Sequence, residues 1–380
     1  MTPLTAPRLR ATTRPLHSGV DVLAAVAPED FVFKRNGVGI VAHGRIDTVP
    51  VGEVMKVLEA IEVDDAVERR GTGAVAVGAL PFEAAVTSAL RIPRRVVGVD
   101  DAGAWVTEIE GGEGAPAPAR PSAPADVLDQ AAWIRAVQQI IGLIGRGDIE
   151  KVVLARQVVV RGPADFDLPA VVRRLAADRP DAWVYADDGL VGVTPELLVA
   201  RSGSAVLSLP RAGTVPHHRQ GELLDTPRLV HEFRVVADSI AAALEPLCYD
   251  VAADLPSPVR AGSVAHLGSR MTGRLRDRAV TALDLALALH PTPAVGGRPL
   301  DQALELIASL EPAPRGRYAG PVGWVDARGD GEFAVALRCA EIDGDRAVLS
   351  VGNGIVAGSD PIDEWTETVA KLATMREALG

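Results

Sequence analysis

The chain has 380 residues, nearly half of them hydrophobic, and a formal net charge of −11. This length allows one large domain or two of medium size with a sizeable buried core. An acidic chain without long basic runs is a poor candidate for nucleic-acid binding, because phosphate contacts need clustered Lys and Arg, and no stretch reaches the apolar length of a membrane-spanning helix.

The first 110 residues predict a mixture of strands and one helix. The first twenty residues contain Arg and no acid but lack an apolar segment, so we expect a disordered start and no secretory signal. A helical pattern covers 51–69, and short apolar runs at 71–82 and 94–100 favour strands. The Gly-, Pro- and Ala-rich stretch Gly111 to Asp126 predicts an exposed loop or linker.

Helices and strands alternate irregularly in the rest of the chain. The patterns predict helices at 126–148, 168–182, 226–248 and 281–293, with Pro227 in the first turn of the third and Pro291 ending the fourth. They predict a strand at 149–162, two strands within 182–203, and strands at 318–326, 331–342 and 347–356. Without a strict βαβ alternation, an α+β fold is favoured over a doubly wound sheet. Cys248 and Cys339 have no metal-site spacing, which is typical of reduced, buried thiols in a cytoplasmic protein.

The last predicted helix carries two carboxylates and a cation on one face. Asp360 followed by Pro361 marks its start, and steps of three and four place Glu364, Glu367 and Lys371 on the same side. One interpretation is a solvated helix face with a Glu367–Lys371 ion pair. The other is a hard-cation site, in which the carboxylates share a Mg²⁺ that also takes substrate oxygens. That site needs a third carboxylate from elsewhere in the chain.

Six motifs in order give the chain a recognisable pattern. They are "KVVLARQ", "TPELLVAR", "PRAGTVP", "LHPTPAVGGRP", "RYAGPVGWVDARGDGEFAVALRCAEI" and "GNGIVAGSDPIDEWTETVAK". Together they closely resemble the chorismate-binding enzyme family, in its isochorismate synthase branch. The resemblance implies one large α+β domain, with packed β-sheets surrounded by helices and an active-site cleft near the middle. It implies a variable N-terminal portion of the same fold at 1–110, a loop at 111–126 and the chorismate-binding catalytic region at 127–380.

The resemblance also implies a reaction and its acid–base pair. In this branch water adds at C2 of the chorismate ring while the C4 hydroxyl leaves. Lys151 matches the base, which must be desolvated or placed near other cations to accept a proton at neutral pH. Glu196 matches the acid, which needs a raised pKa. Their local sequences alone favour a surface Lys at a strand edge and a solvated carboxylate at a strand end, and the resemblance reverses that interpretation.

The metal and substrate contacts follow from the same resemblance. Glu232, Glu364 and Glu367 match Mg²⁺ ligands, although Phe233 stands where His is usual. The implied substrate contacts come from glycines, hydroxyls and cations, with His266 equally compatible with a structural role: Gly213, Thr214, His266, Tyr318, Arg338, Gly354 and Lys371. Arg317 replaces a usual aromatic residue and Asn353 a usual Ala, so either could alter the rim of the pocket.

Three functions stay open at this point. Ala212 stands where aminodeoxychorismate synthases often carry a Lys that attacks the ring, so water is the expected nucleophile and no glutamine amidotransferase partner is expected. An isochorismate synthase is favoured. A salicylate synthase, which makes isochorismate and then eliminates pyruvate, and a chorismate-binding homologue without turnover are the alternatives.

Overall fold

The computed structural model describes residues 9–17, 19–83, 88–112, 128–262 and 264–380. Residues 1–8 of the predicted disordered start lie outside these ranges, and so does most of the predicted loop at 111–126. The rest of the disordered start was predicted wrongly, because Arg10–Leu16 forms a strand that pairs with Glu62–Asp65 and Gly103–Glu110. In chain order the described strands are β1 (Arg10–Leu16), β2 (Phe31–Arg35), β3 (Val38–His43), β4 (Asp47–Pro50), β5 (Glu62–Asp65), β6 (Val75–Ala79), β7 (Ala89–Ile92), β8 (Arg95–Asp100), β9 (Gly103–Glu110), β10 (Lys151–Arg161), β11 (Trp183–Asp187), β12 (Leu190–Thr194), β13 (Leu197–Ser202), β14 (Ala205–Leu209), β15 (Arg211–Pro216), β16 (Cys248–Ala253), β17 (Ser257–Ala261), β18 (Val264–Gly268), β19 (Met271–Leu275), β20 (Gly297–Arg298), β21 (Pro321–Asp326), β22 (Gly331–Val335), β23 (Cys339–Asp343) and β24 (Arg346–Val356).

The described ranges contain seven helices, of which Leu300–Leu310 was not predicted from the sequence. They are α1 (Val54–Ala60), α2 (Gln130–Gly145), α3 (Leu168–Asp178), α4 (Pro227–Leu244), α5 (Ala282–Leu289), α6 (Leu300–Leu310) and α7 (Pro361–Leu379), with 3₁₀ turns at Val51–Glu53 and His217–Glu222. The Asp360 side chain accepts from the backbone N–H groups of Ile362 and Asp363, which fixes the start of α7 as predicted. No helix in the described ranges is both long and apolar enough to span a membrane.

These strands form three sheets. The first has twelve strands in the order β20-β10-β24-β23-β12-β11-β2-β3-β8-β9-β1-β5, and the second has nine in the order β16-β19-β14-β13-β22-β21-β6-β7-β4. A three-stranded sheet, β15-β18-β17, stands beside them. Strands from the first 110 residues thus pair within both large sheets, β2 with β11 and β6 with β21. The predicted α+β class, with sheets packed together, is confirmed.

Alternation along the strands explains the layering. In β2, Phe31 and Phe33 join the core shared by the two large sheets, while Val32 between them joins a second core. That second core lies under α3 and α7, which contribute Leu175 and Leu372. The middle of the twelve-stranded sheet is therefore buried on both faces.

Three predicted elements have different boundaries. The helix predicted at 51–69 ends at Ala60, because Glu62–Asp65 pairs in parallel with β1. The stretch 182–203 contains three strands rather than two. The single strand predicted at 331–342 is two, since Arg338 between them adopts a left-handed φ of +47° that a strand cannot accommodate.

Candidate active site

A single cavity collects every residue predicted for the site. It lies where β10 and β24 approach the three-stranded sheet, α4 and α7. Its lining includes the predicted acid, base, carboxylates and substrate contacts: Lys151, Glu196, Gly213, Thr214, Glu232, His266, Tyr318, Arg338, Gly354, Glu364, Glu367 and Lys371. These residues span more than two hundred positions of the chain, and the fold brings them together. What each one does stays a prediction.

Lys151 begins β10 and is buried, with 1% of its surface exposed. Its Nζ lies 3.2 Å from Oε1 of Glu232 on α4. Gly354 on β24 faces this ion pair, and a Cβ there would lie 2.6 Å from Lys151 Cε and 2.7 Å from Glu232 Oε1. A side chain at position 354 would therefore displace Lys151 and Glu232 from these positions. The alternative of a surface lysine is wrong.

Glu196 lies between β12 and β13 with 4% of its surface exposed. Burial raises the pKa of its carboxyl to about 7, although Arg211 and Lys151 oppose the rise. A carboxyl with this pKa holds a proton on a large fraction of molecules at neutral pH, as a general acid requires. The alternative of a solvated strand-end carboxylate is wrong.

Three carboxylates gather at one end of the cavity. Burial raises the pKa of Glu364, and the negative charges of Glu367 and Glu232 raise it further. Each carboxylate has a cationic neighbour: Lys151 beside Glu232, Arg228 at 3.6 Å from Glu364 and Lys371 at 2.8 Å from Glu367. Within the described ranges, no three His, Cys, Asp or Glu side chains already stand in a metal-ligating arrangement. The donor set, all carboxylate oxygens under mutual repulsion, fits a hard cation such as Mg²⁺.

Another part of the cavity lining is cationic. Arg338 Nη2 lies 2.9 Å from Nε2 of His266, whose Nδ1 lies 3.1 Å from Thr214 Oγ1. A guanidinium only donates, so Nε2 accepts and the imidazole proton sits on Nδ1, which donates to Thr214. Burial, with Arg338 next, lowers the pKa of His266 well below its usual value, which keeps the ring neutral. The hydrogen of the Thr214 hydroxyl is therefore left to point at a ligand.

Two cationic residues that were not predicted from the sequence, Arg211 and Arg228, also line the cavity. Arg211 donates from Nε to the carbonyl of Pro195, 2.9 Å away, and so supports the segment that carries Glu196. Burial lowers the pKa of Arg211 to about 10. Arg228 stands one turn before Glu232 on α4. Arg211 lies inside the matched "PRAGTVP" motif, so its charge was visible there, whereas nothing local distinguished Arg228 from a solvated helix residue.

The departures from the family pattern fall into different places. Phe233 is buried in the core shared by the sheets. Arg317 pairs with Glu341 and donates to the carbonyls of Asp187 and Asp188, so it serves the fold and does not line the cavity. Asn353 is buried against α7, behind the cavity wall.

Tyr318, a predicted substrate contact, lines the cavity. Burial raises the pKa of its hydroxyl, which therefore stays protonated and can donate a hydrogen bond.

Comparison with known proteins identifies the family. The profile described as chorismate binding enzyme matches residues 104–380. The chain belongs to the chorismate-binding enzyme family. It is 41% identical over 343 residues to the Mycobacterium tuberculosis protein named "Putative isochorismate synthase MenF", covering 82% of this chain and 88% of that one. It is 42% identical over 264 residues to the Bacillus subtilis protein named isochorismate synthase DhbC, covering 64% and 66%.

A solved structure supports the same fold. MenF from Escherichia coli, described as the menaquinone-specific isochorismate synthase, superposes with a TM-score of 0.84 over 99% of this chain and 95% of that one. At 24% identity this likeness concerns the fold alone. The predicted family and its isochorismate synthase branch are confirmed by the profile and the named relatives.

Proposed function

We propose that this protein is an isochorismate synthase that converts chorismate to isochorismate with Mg²⁺ as cofactor. The observation that carries the proposal is the joint burial of Lys151 and Glu196 in one cavity, where a protonated carboxyl and a lysine face a common space. A protein that only binds its ligand has no need of such a pair. The names of the relatives give the substrate and product class.

The charge distribution supports a dicarboxylate substrate. The cavity lining contains an acidic group, Glu232, Glu364 and Glu367, whose charges act on Glu364, and a cationic group, Arg211 and Arg338, whose charges also act on one another. In the proposed orientation one substrate carboxylate meets the guanidinium groups, which bind carboxylates well in a bidentate manner. The other lies towards the glutamates, where bound Mg²⁺ would neutralise their repulsion and hold that carboxylate.

The chemistry then needs two proton transfers by this chain. Lys151 takes a proton from the water that attacks C2, and Glu196 gives its proton to the C4 hydroxyl as it leaves. The carboxylate of Glu232, 3.2 Å from Lys151 Nζ, favours a positive charge on that lysine, so a cation that took Glu232 as a ligand would favour the neutral amine that a base requires. This requirement links the base to the proposed cation site. Water is the nucleophile, so no amidotransferase subunit is needed, and the cytoplasm is the proposed compartment.

The experiment is an incubation of purified protein with chorismate, with Mg²⁺ or with EDTA, followed by chromatographic separation of the products. Isochorismate that forms only with Mg²⁺ supports the proposal. Salicylate with pyruvate as the main product would replace it with the salicylate synthase function, and unchanged chorismate would leave a binding protein. Lys151→Ala should abolish turnover and still bind Mg²⁺. Near-normal rates in that variant would remove Lys151 from the base role.

A further inference from the structure

Asn353 lies directly behind the acidic end of the cavity. It sits on β24 with 1% of its surface exposed, and it is absent from the cavity lining. Its Nδ2 donates to the main-chain carbonyl of Glu364 at 2.8 Å and to Oε2 of the same residue at 3.0 Å. Its Oδ1 accepts from Nζ of Lys371 at 2.8 Å. One amide therefore contacts two residues of α7 that face the cavity.

Lys371 extends this contact to the second carboxylate of α7. Besides Asn353, its ammonium donates to the carbonyl of Gly352 at 3.1 Å and pairs with Oε1 of Glu367 at 2.8 Å. Three acceptors match the three N–H donors of an ammonium group. The orientation of Glu367 thus depends on Lys371, and the orientation of Lys371 depends in part on Asn353.

We propose that Asn353 is a positioning residue for the Mg²⁺ site, which acts by holding Glu364 directly and Glu367 through Lys371. The inference rests on the proposed function, because it assumes that these carboxylates bind the cation. A neutral amide suits this position since it can donate to a carboxylate without cancelling the charge that attracts the metal. A cationic side chain in its place would compete with Mg²⁺ for Glu364.

The usual residue of the family pattern, Ala, could make none of these contacts. In this chain its introduction would remove the Asn353 donor from the buried carboxylate of Glu364, which keeps a hydrogen bond to Ser359, and would leave one donor of Lys371 without its partner. Such losses are costly in buried sites. Groups that orient metal ligands from behind are worth about 10- to 100-fold in metal affinity. Removal of the Asn353 amide is therefore expected to weaken Mg²⁺ binding by that factor.

The test measures Mg²⁺ binding by isothermal titration calorimetry, with the full chain and without chorismate. Asn353→Ala should raise the Kd for Mg²⁺ by about 10- to 100-fold relative to the unmodified protein. Gln157→Ala is the matched control, because it also removes an amide side chain from a neighbouring strand, β10. The Gln157 amide donates to the carbonyl of Pro314 and lies outside the cavity lining. The Kd of Gln157→Ala for Mg²⁺ should equal that of the unmodified protein.

A second background separates positioning from general damage. If Asn353 acts through Glu364, the effect of Asn353→Ala should largely vanish when Glu364→Gln is already present, because the two changes then remove the same interaction. Asn353→Ser, whose shorter side chain has one O–H donor in place of the two N–H donors of the amide, should give an intermediate Kd and provides the measurement if the Ala variant fails to fold.

Each outcome has a distinct meaning. Equal Mg²⁺ affinity in the unmodified protein and Asn353→Ala would overturn the positioning role and leave the proposed function intact. Full additivity of Asn353→Ala with Glu364→Gln would overturn the route through Glu364. Absence of Mg²⁺ binding in the unmodified protein would remove the cofactor from the proposed function, and this inference would fall with it.

Discussion

Replacing Gly354 with Ala adds one methyl group where β24 passes the Lys151–Glu232 ion pair. The new Cβ would lie 2.6 Å from Lys151 Cε and 2.7 Å from Glu232 Oε1, which is 0.8 Å and 0.7 Å short of the 3.4 Å at which ordinary contact begins. Both neighbouring atoms are at the ends of flexible side chains, so they can retreat. The groups that move are the side chains of Lys151, the proposed base, and Glu232, a proposed metal ligand, while the backbone around them can stay in place.

The expected result is therefore a large kinetic loss with a small loss of stability. A displacement of roughly 1 Å in a catalytic group can cost about 100-fold in rate, or about 2.7 kcal/mol in the barrier. The free energy of unfolding should fall by no more than about 1 kcal/mol, the low end of overpacking effects. Steady-state kinetics of chorismate conversion at saturating Mg²⁺ give the first quantity, and urea unfolding gives the second.

Gly145→Ala is the control for this experiment. Gly145 ends α2, and a Cβ there would meet no atom within 4 Å, so the kinetics of Gly145→Ala should match those of the unmodified protein. Its stability should be equal or higher by up to about 1 kcal/mol, the usual gain when Ala replaces Gly in a helix. If Gly354→Ala turned over chorismate at a near-normal rate, the close approach of β24 to Lys151 would have no part in catalysis. If the free energy of unfolding of Gly354→Ala also fell by well over about 1 kcal/mol, the loss of activity would reflect damage to the fold rather than displacement of Lys151.

Two further predictions concern the acid and the cationic end. In its proposed role Glu196 can donate a proton only while it is protonated, so kcat should decline as the pH rises through about 7. Arg211→Leu should move this decline to higher pH, because it removes the largest of the charges that lower the Glu196 pKa. A decline that stays in place in Arg211→Leu would contradict this assignment. Thr214→Val should raise the KM for chorismate by about tenfold, because it removes one hydrogen bond of roughly 1.4 kcal/mol. Thr214→Ser keeps the hydroxyl and should have the KM of the unmodified protein. Equal KM values in the two variants would show that the Thr214 hydroxyl does not donate to the substrate.

Elements with strong local signals could be predicted from the sequence. Asp360 and Pro361 fix the start of α7 by capping and by a preset φ, and both act within a few residues. Other outcomes depend on distant partners. The segment after Ala60 continues a helical pattern but forms a strand because β1 is available to pair with it. The interruption between β22 and β23 occurs at Arg338, and no Gly or Pro lies there to predict it from the sequence.

The site shows the same division. The resemblance of the motifs predicted a shared site for Lys151, Glu196 and the three glutamates of the proposed metal site, and all five line one cavity. It could not assign Asn353, because the hydrogen bonds of that residue depend on how α7 packs against β24. It also left Arg211 unselected, since its importance comes from the fold-dependent closeness to Glu196.

The pairing of β2 with β11 and of β6 with β21 has a consequence for how the chain can be divided. A shortened protein that begins near residue 128 would keep every cavity residue named above, yet it would expose one hydrogen-bonding edge in the interior of each large sheet. Unpaired edges of this kind recruit strands from other molecules. Such a fragment should self-associate when expressed, and adding back the missing N-terminal piece as a separate peptide should restore a monodisperse, working enzyme.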